Sequence, residues 1–199
     1  MTYTAVVLAG GRSSRFGSNK LLFKIGGSTM LEWVLRAAYK SEANEIILSV
    51  KPSSELNISG EFRDKLKIVS DEIEDYSPLV GIMSAARAAS NEGIVVIPAD
   101  SPLVTSNFMN LLHRYLEEIS VDGVIPIWND GKIEAIHAAY KRSEVLAASE
   151  MLIKAKDYRV KDLAQALKKI YFLSVQDLEY RDRLSLIDFD NPAEILDYF

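Results

Sequence analysis

Apolar residues recur along this chain in two rhythms. Short, mainly apolar runs occupy residues 5–8, 46–50, 66–69 and 94–97, and those at 5–8 and 94–97 are unbroken. A run of that length bounded by turn residues predicts a strand, and one without polar alternation predicts burial on both faces. Between the runs the spacing becomes helical. Leu31, Val34, Leu35 and Ala38 fall on one face behind Thr29, a natural N-cap. Leu79, Ile82 and Met83 do so in a helix that follows Pro78, and Leu111, Leu112, Tyr115, Leu116 and Ile119 line a helix over residues 106–119 that Ser106 or Asn107 would cap. Strands alternating with helices predict an α/β fold, a doubly wound and mostly parallel sheet.

Beyond Gly123 the rhythm changes. Residues 124–128 and 133–140 flank Asn129-Asp130-Gly131, a strong hairpin signal, so a β-hairpin insertion is expected in the C-terminal half. Helices over 143–154 and 161–169, strands at 170–173 and 186–189, and a last helix opened by Asn191 and Pro192 complete the pattern. No linker, repeat or low-complexity tract interrupts it, so residues 1–199 read as a single domain.

Composition narrows the function. A hydrophobic share of 48% beside a charged share of 26% fits a soluble globular domain. A net charge of −5 argues against a nucleic-acid or anionic-membrane surface. With 0 cysteines there is no thiolate nucleophile, no disulfide and no cysteine-based zinc site. The N-terminus lacks the basic and apolar regions of a signal peptide, and no stretch approaches the ~18 apolar residues of a spanning helix. A cytoplasmic location is expected.

Against that acidic background, the segment after the first strand is a local positive spot. Gly10-Gly11 ends the strand, and Arg12, Arg15 and Lys20 follow among the small residues Ser13, Ser14 and Gly17. Adjacent glycines permit positive φ and close ligand approach. Backbone N–H groups and cationic side chains together make an anion nest suited to a polyphosphate. The Walker A pattern fails, because five residues separate Gly11 from Gly17 and Ser18 follows. The dinucleotide fingerprint fails too, in its glycine spacing and in the absence of an acid closing the second strand, which runs into Lys51-Pro52. Lys20 precedes Leu21-Leu22-Phe23, whose burial would fix the base of its side chain.

Ligands of open α/β sheets bind beyond the strands' carboxyl ends. Asp100 lies there, stiffened by Pro98 and Pro102, and a rigid acid facing a cationic phosphate loop suits Mg²⁺ on a bound nucleotide. His113 reads as a surface residue and His137 as a core histidine. Lys154, Lys156, Arg159 and Lys161 read as a solvated basic face, or as one that meets an anionic acceptor. Asp71 reads equally as a turn residue after the third strand and as a substrate contact.

Leu8 to Leu22 fits the nucleotidyltransferase signature Leu-x-Gly-Gly-x-x-x-Arg-x-Gly-x-x-Lys-x-Leu at every fixed position. Pro98-Ala99-Asp100-Ser101-Pro102 fits Pro-x-Asp-x-Pro, and Asp71 precedes Ser77-Pro78-Leu79-Val80-Gly81, with Ser77 in place of glycine. Near the end, Asp188-Phe189-Asp190-Asn191-Pro192-Ala193-Glu194 stands in register with Asn-x-Asn-Thr-Pro-Glu-Asp, acids replacing both asparagines. Together these blocks resemble the molybdenum cofactor guanylyltransferase (MobA-like) family, and they span nearly the whole chain.

The resemblance implies a Rossmann-like nucleotidyltransferase fold, with 1–120 as the nucleotide-binding half and 121–199 as the acceptor-binding half. It implies that the terminal phosphate of molybdopterin attacks the α-phosphorus of GTP and pyrophosphate leaves. Arg15, Lys20 and Asp100 would carry catalysis. Leu8, Ala9, Gly10, Gly11, Arg12, Lys20, Asp71, Pro78, Leu79 and Gly81 would bind the nucleotide. Mg²⁺ would sit on Asp100 with Asp190, and His137 would border the acceptor. GTP and molybdopterin are the implied substrates, with molybdoenzymes or cofactor-delivery proteins as contacts. A cytidylyltransferase for the same pterin, a guanylyltransferase for a cobamide precursor or sugar phosphate, and a nucleotide-binding regulator without turnover stay open as alternatives.

Overall fold

The computed structural model describes residues 2–10, 20–52, 60–62, 64–73, 77–189 and 198. Strand β1 is Thr4–Leu8. A two-stranded ribbon comes next, β2 (Lys24–Ile25) and β3 (Ser28–Thr29), turned by Gly26 and Gly27 at φ 56° and 89°. Two successive positive φ angles are what a tight hairpin turn with the right twist demands, and glycine meets them without strain. Thr29 then caps α1 (Met30–Lys40) in a reciprocal box with Glu32. The order continues β4 (Glu45–Val50), β5 (Leu66–Ser70), α2 (Pro78–Ala88), β6 (Gly93–Pro98), α3 (Ser106–Ile119), β7 (Gly123–Ile127), β8 (Ala138–Lys141), α4 (Arg142–Lys154), α5 (Leu163–Ala166), β9 (Ile170–Ser174) and α6 (Tyr180–Arg183).

Among the described residues, seven strands form one sheet in the order β5-β4-β1-β6-β8-β7-β9. β5, β4, β1 and β6 are mutually parallel, β8 is antiparallel to both its neighbours, and β9 is parallel to β7. The continuous apolar runs are explained by two cores. Ala5, Val7, Ile46, Leu48, Val95 and Ile97 point to one face with Leu31, Val34 and Leu35 of α1 and Phe108, Met109 and Leu112 of α3. The alternate residues Val6, Ile47, Ile94 and Val96 point to the other, with Leu79, Ile82 and Ala85 of α2 and Val145 and Ala148 of α4. Each large aliphatic or aromatic side chain among them contributes ~1.5–3 kcal/mol when removed from water, so register is pinned from both faces.

The structure corrects several expectations. The predicted hairpin is not an insertion, because β8 lies inside the main sheet between β6 and β7. Its tight turn is present, with Gly131 N–H donating to the Trp128 carbonyl at 2.9 Å. The returning chain pairs at an isolated Ile127–Ile133 bridge, leaves the sheet, and pairs with β7 again as β8, with Gly123 opposite Tyr140 and Val124 opposite Ala139. Pro126 has no N–H for the ladder, and its carbonyl accepts from the Glu134 N–H at 2.9 Å instead.

Residues 186–189 are not a strand either. A 3₁₀ turn ends at Leu186, and Phe189 N–H then finds the Asp100 carbonyl at 3.2 Å. Helix 161–169 shrinks to a 3₁₀ turn and α5. Thr105, not Ser106 or Asn107, caps α3. His113 is buried, stacked on Tyr3 at 4.7 Å, with its pKa lowered by burial. The helix expected after Asn191 lies outside the described residues. Among those described, no helix is long and apolar enough to cross a membrane.

Candidate active site

The sheet order reverses around β1, which leads to β4 on one side and lies beside β6 on the other. The carboxyl ends of these strands therefore diverge into a cleft. Short backbone bonds carry the sheet a residue further: Ala9 N–H to Ser49 O at 2.8 Å, Ala99 N–H to Leu8 O at 2.9 Å, and Asp71 N–H to Val50 O at 2.8 Å. The first residue beyond each of β1, β5 and β6 is consequently held as firmly as the strand itself. Four sequence-distant segments converge there, and the cleft is lined by Leu8, Ala9 and Gly10 at the end of β1, Ser49 and Lys51 at the end of β4, Asp71 after β5, and Pro98 and Asp100 at the end of β6.

Lys20 enters from the 3₁₀ turn Lys20–Leu22, anchored by buried Leu21, while Leu22 stays exposed. Its ammonium lies 2.5 Å from Asp100 Oδ2, with side-chain exposures of 11% and 22%. The pair thus stands at the cleft in partial contact with water. A second pair lies behind it. Asp71 Oδ2 accepts from Lys51 Nζ at 2.8 Å and Oδ1 accepts from Ser49 Oγ at 2.6 Å, with only 9% and 1% of the lysine and aspartate side chains exposed. Both carboxylate oxygens are satisfied, the condition under which a buried charge is tolerated.

Glycine makes room for this second pair. A Cβ on Gly10 would lie 2.9 Å from Lys51 Cε, and one on Gly81 2.9 Å from Ser49 Oγ and 3.1 Å from Leu8 Cδ2. Gly10 therefore serves by its small size. Positive φ, expected at this position, is found among the described glycines only at Gly26, Gly27 and Gly131.

Of the residues singled out in the sequence, Leu8, Ala9, Gly10, Lys20, Asp71, Pro78, Gly81 and Asp100 line the cleft together. Leu79 does not; it is a core residue of α2. His137 does not either, being wholly buried, so its neighbour Ile136 faces the cleft in its place. Gly11, Arg12, Arg15 and Asp190 lie outside the described residues. Arg159 of the basic cluster is matched locally by Asp157 and Asp162, each at 2.8 Å. Ser77, standing for glycine, accepts from Leu79 N–H as the N-cap of α2 and donates to the Tyr158 carbonyl.

Three residues outside that set matter here. Lys51 and Ser49 hold Asp71, and Asp188 approaches Asp100 from the C-terminal segment. Burial pushes the Asp188 carboxyl above its ordinary value; His137 pulls it down and the negative charge of Asp100 pushes it up. Lys51 comes directly after a buried strand, but its partner Asp71 is 20 residues away and the sequence gives no local sign of the pairing.

A doubly wound sheet whose strand ends gather lysines, carboxylates and close-packed glycines into one cleft has the architecture of a nucleotidyltransferase. Residues 5–170 match the MobA-like NTP transferase domain, and the chain belongs to that family. A probable molybdenum cofactor guanylyltransferase from Pyrococcus horikoshii is 26% identical over 98% of each chain. One from Methanosarcina acetivorans is 31% identical over 88% of this chain and 79% of its own. Among solved structures, molybdopterin-guanine dinucleotide biosynthesis protein A from Archaeoglobus fulgidus superposes with a TM-score of 0.78 at 19% identity, over 98% of this chain and 95% of that one, a likeness of fold.

Proposed function

We propose that this nucleotidyltransferase joins GMP from GTP to the phosphate of molybdopterin. An acceptor phosphate oxygen bonds to the α-phosphorus, the bond from that phosphorus to the bridging oxygen of the β-phosphate breaks, and pyrophosphate leaves with the electron pair. The acceptor is already an anion, so no general base is required. Positioning and charge neutralisation then supply catalysis.

The observation that carries this proposal is the pair of lysines, Lys20 and Lys51, each held by a carboxylate in one cleft. Lys20, with Arg12 and Arg15, would bind the triphosphate. The phosphates would compete with Asp100 for the Lys20 ammonium and release its carboxylate. Asp100 offers hard oxygen donors at the cleft. That fits Mg²⁺, which uses one or two carboxylates and completes its shell with phosphate oxygens and water. Asp100 with Asp190 would hold it, and when bound it offsets charge on the phosphates.

Lys51, which lines the cleft beside Asp71, would donate to a base carbonyl, and the likeness to the probable guanylyltransferases from Pyrococcus horikoshii and Methanosarcina acetivorans favours GTP over CTP as the nucleotide. Residues after 121 would receive the acceptor, and Ile136 already lines the cleft from that half. The relatives from Pyrococcus horikoshii and Methanosarcina acetivorans, probable molybdenum cofactor guanylyltransferases, support this choice of acceptor.

The test is incubation with each nucleoside triphosphate and Mg²⁺, with and without molybdopterin, reading dinucleotide and pyrophosphate. Guanine dinucleotide formed only with the acceptor present is expected. Dinucleotide from CTP at an equal rate would overturn the base assignment, and absence of pyrophosphate with every acceptor phosphate would overturn the enzyme assignment.

A further inference from the structure

Next to Asp100 in the chain, Ser101 belongs to a polar cluster with His137 and Asp188. Ser101 Oγ is 2.6 Å from Asp188 Oδ1 and 2.9 Å from His137 Nε2, and that ring nitrogen is 3.4 Å from the same carboxylate oxygen. The three residues come from the turn after β6, the approach to β8, and the segment after α6. Ser101 and His137 are wholly buried.

Counting protons fixes the direction of the bonds. Serine has one hydroxyl proton, and the shorter contact sends it to the Asp188 carboxylate. His137 must then carry its proton on Nε2 and donate to Ser101 Oγ. Its Nδ1, buried, has no hydrogen-bond partner among the described residues. An orphaned buried polar atom keeps its full desolvation cost, so a histidine is a poor choice here if packing were its only task.

The cluster is joined to the site by the chain itself. Ser101 follows Asp100, whose carbonyl accepts from Phe189 N–H at 3.2 Å. Phe189 is 1% exposed and packs with Ile25 and Met30, with Phe23 beside them, next to the turn that carries Lys20. The segment at 187–189 therefore straps the Asp100 side of the cleft to the Lys20 side, and its polar fastening is Asp188 on Ser101.

We infer that His137, Ser101 and Asp188 form a latch that positions Asp100 against Lys20, with His137 acting through Ser101 as a positioning residue that never touches substrate. The inference rests on Asp100 being a site carboxylate. It assigns the buried histidine a role in alignment and none in acceptor binding.

The test compares His137→Leu, which removes the donor, with His137→Gln, which keeps an N–H donor near the place of Nε2, and with Ser101→Ala. For each, kcat and KM with GTP and acceptor, GTP affinity by calorimetry without acceptor, and urea unfolding are measured. Misplacement of a reacting group by an ångström is worth up to about a hundredfold in rate. His137→Leu and Ser101→Ala are therefore expected to lower kcat by roughly ten- to a hundredfold, with GTP affinity unchanged. His137→Gln should recover most of the loss, and the double variant His137→Leu/Ser101→Ala should be no slower than either single one. Nitrogen-15 spectra of the wild-type ring should show the proton on Nε2. A proton on Nδ1, additive losses in the double variant, or lost stability with kcat intact would overturn the latch. Asp100→Asn is assayed alongside. If it retains turnover, the assignment of Asp100 itself fails; if it alone loses turnover, only the latch fails.

Discussion

Two lysine–aspartate pairs face the same cleft, and they differ in what surrounds them. Lys20 and Asp100 meet at 2.5 Å with 11% and 22% of their side chains exposed. Lys51 and Asp71 meet at 2.8 Å with 9% and 1% exposed, and Ser49 occupies the remaining carboxylate oxygen. Water reaches the first pair, so either partner can be rehydrated or recruited by a ligand at small cost. Separating the second would strand a charge in the interior. The same two residue types thus make an exchangeable contact at the phosphate end and a fixed framework at the base end.

The largest effect should come from breaking the fixed pair. Lys51→Met leaves the Asp71 carboxylate buried without its counter-ion and should destabilise the fold by ~3–5 kcal/mol, read by urea unfolding. Lys51→Met/Asp71→Leu should recover much of that, since an apolar replacement of both partners leaves no charge uncompensated. A single variant as stable as wild type would mean that Asp71 is solvated, and the contrast between the pairs would vanish.

Next comes the exchangeable pair. A charge-assisted bond to phosphate is worth ~1.5–3 kcal/mol, so Lys20→Ala should lower kcat/KM for GTP by roughly one to two powers of ten. Its stability should fall by clearly less than that of Lys51→Met, because Asp100 regains water. The opposite ordering, stability lost and kcat/KM kept, would make Lys20 the structural lysine of the two.

Gly10→Ala sharpens the comparison with a smaller push. Its new Cβ meets Lys51 Cε at 2.9 Å and Asp71 Oδ2 at 3.6 Å, while the lysine stem is flexible enough to yield. Overpacking of this kind costs ~1–3 kcal/mol, and the flexible neighbour places it at the low end. We expect KM for GTP to rise with kcat unchanged. A fall in kcat at constant KM would move Gly10 to the phosphate end of the cleft.

Lys20 and Asp100 are legible in the amino-acid sequence because each sits beside a strong local signal, a glycine-rich loop and a proline-bracketed strand end. Lys51 is not, although it comes directly after the strand ending at Val50. A lone Lys-Pro reads as a turn, and nothing local reveals that Asp71 will stand beside it. Ser49 looks like a polar interruption of an apolar run, yet its hydroxyl binds the carboxylate. The apolar neighbours of His137 place it correctly in the core, but the partner that gives it meaning lies at position 188.

By itself the sequence determined the alternation of strand and helix, the two-faced burial of the central strands, the Thr29 cap and the placing of a site at the strand ends. All of these depend on spacing within about a dozen residues, where periodicity and capping act. Tertiary structure alone decided that β8 enters the sheet between β6 and β7, that Pro126 interrupts the hairpin, and that residues 187–189 form a strap and no strand. It also decided which lysine each aspartate holds. Those outcomes depend on hydrogen-bond partners and desolvation supplied by segments far apart in the chain, and no local pattern encodes them.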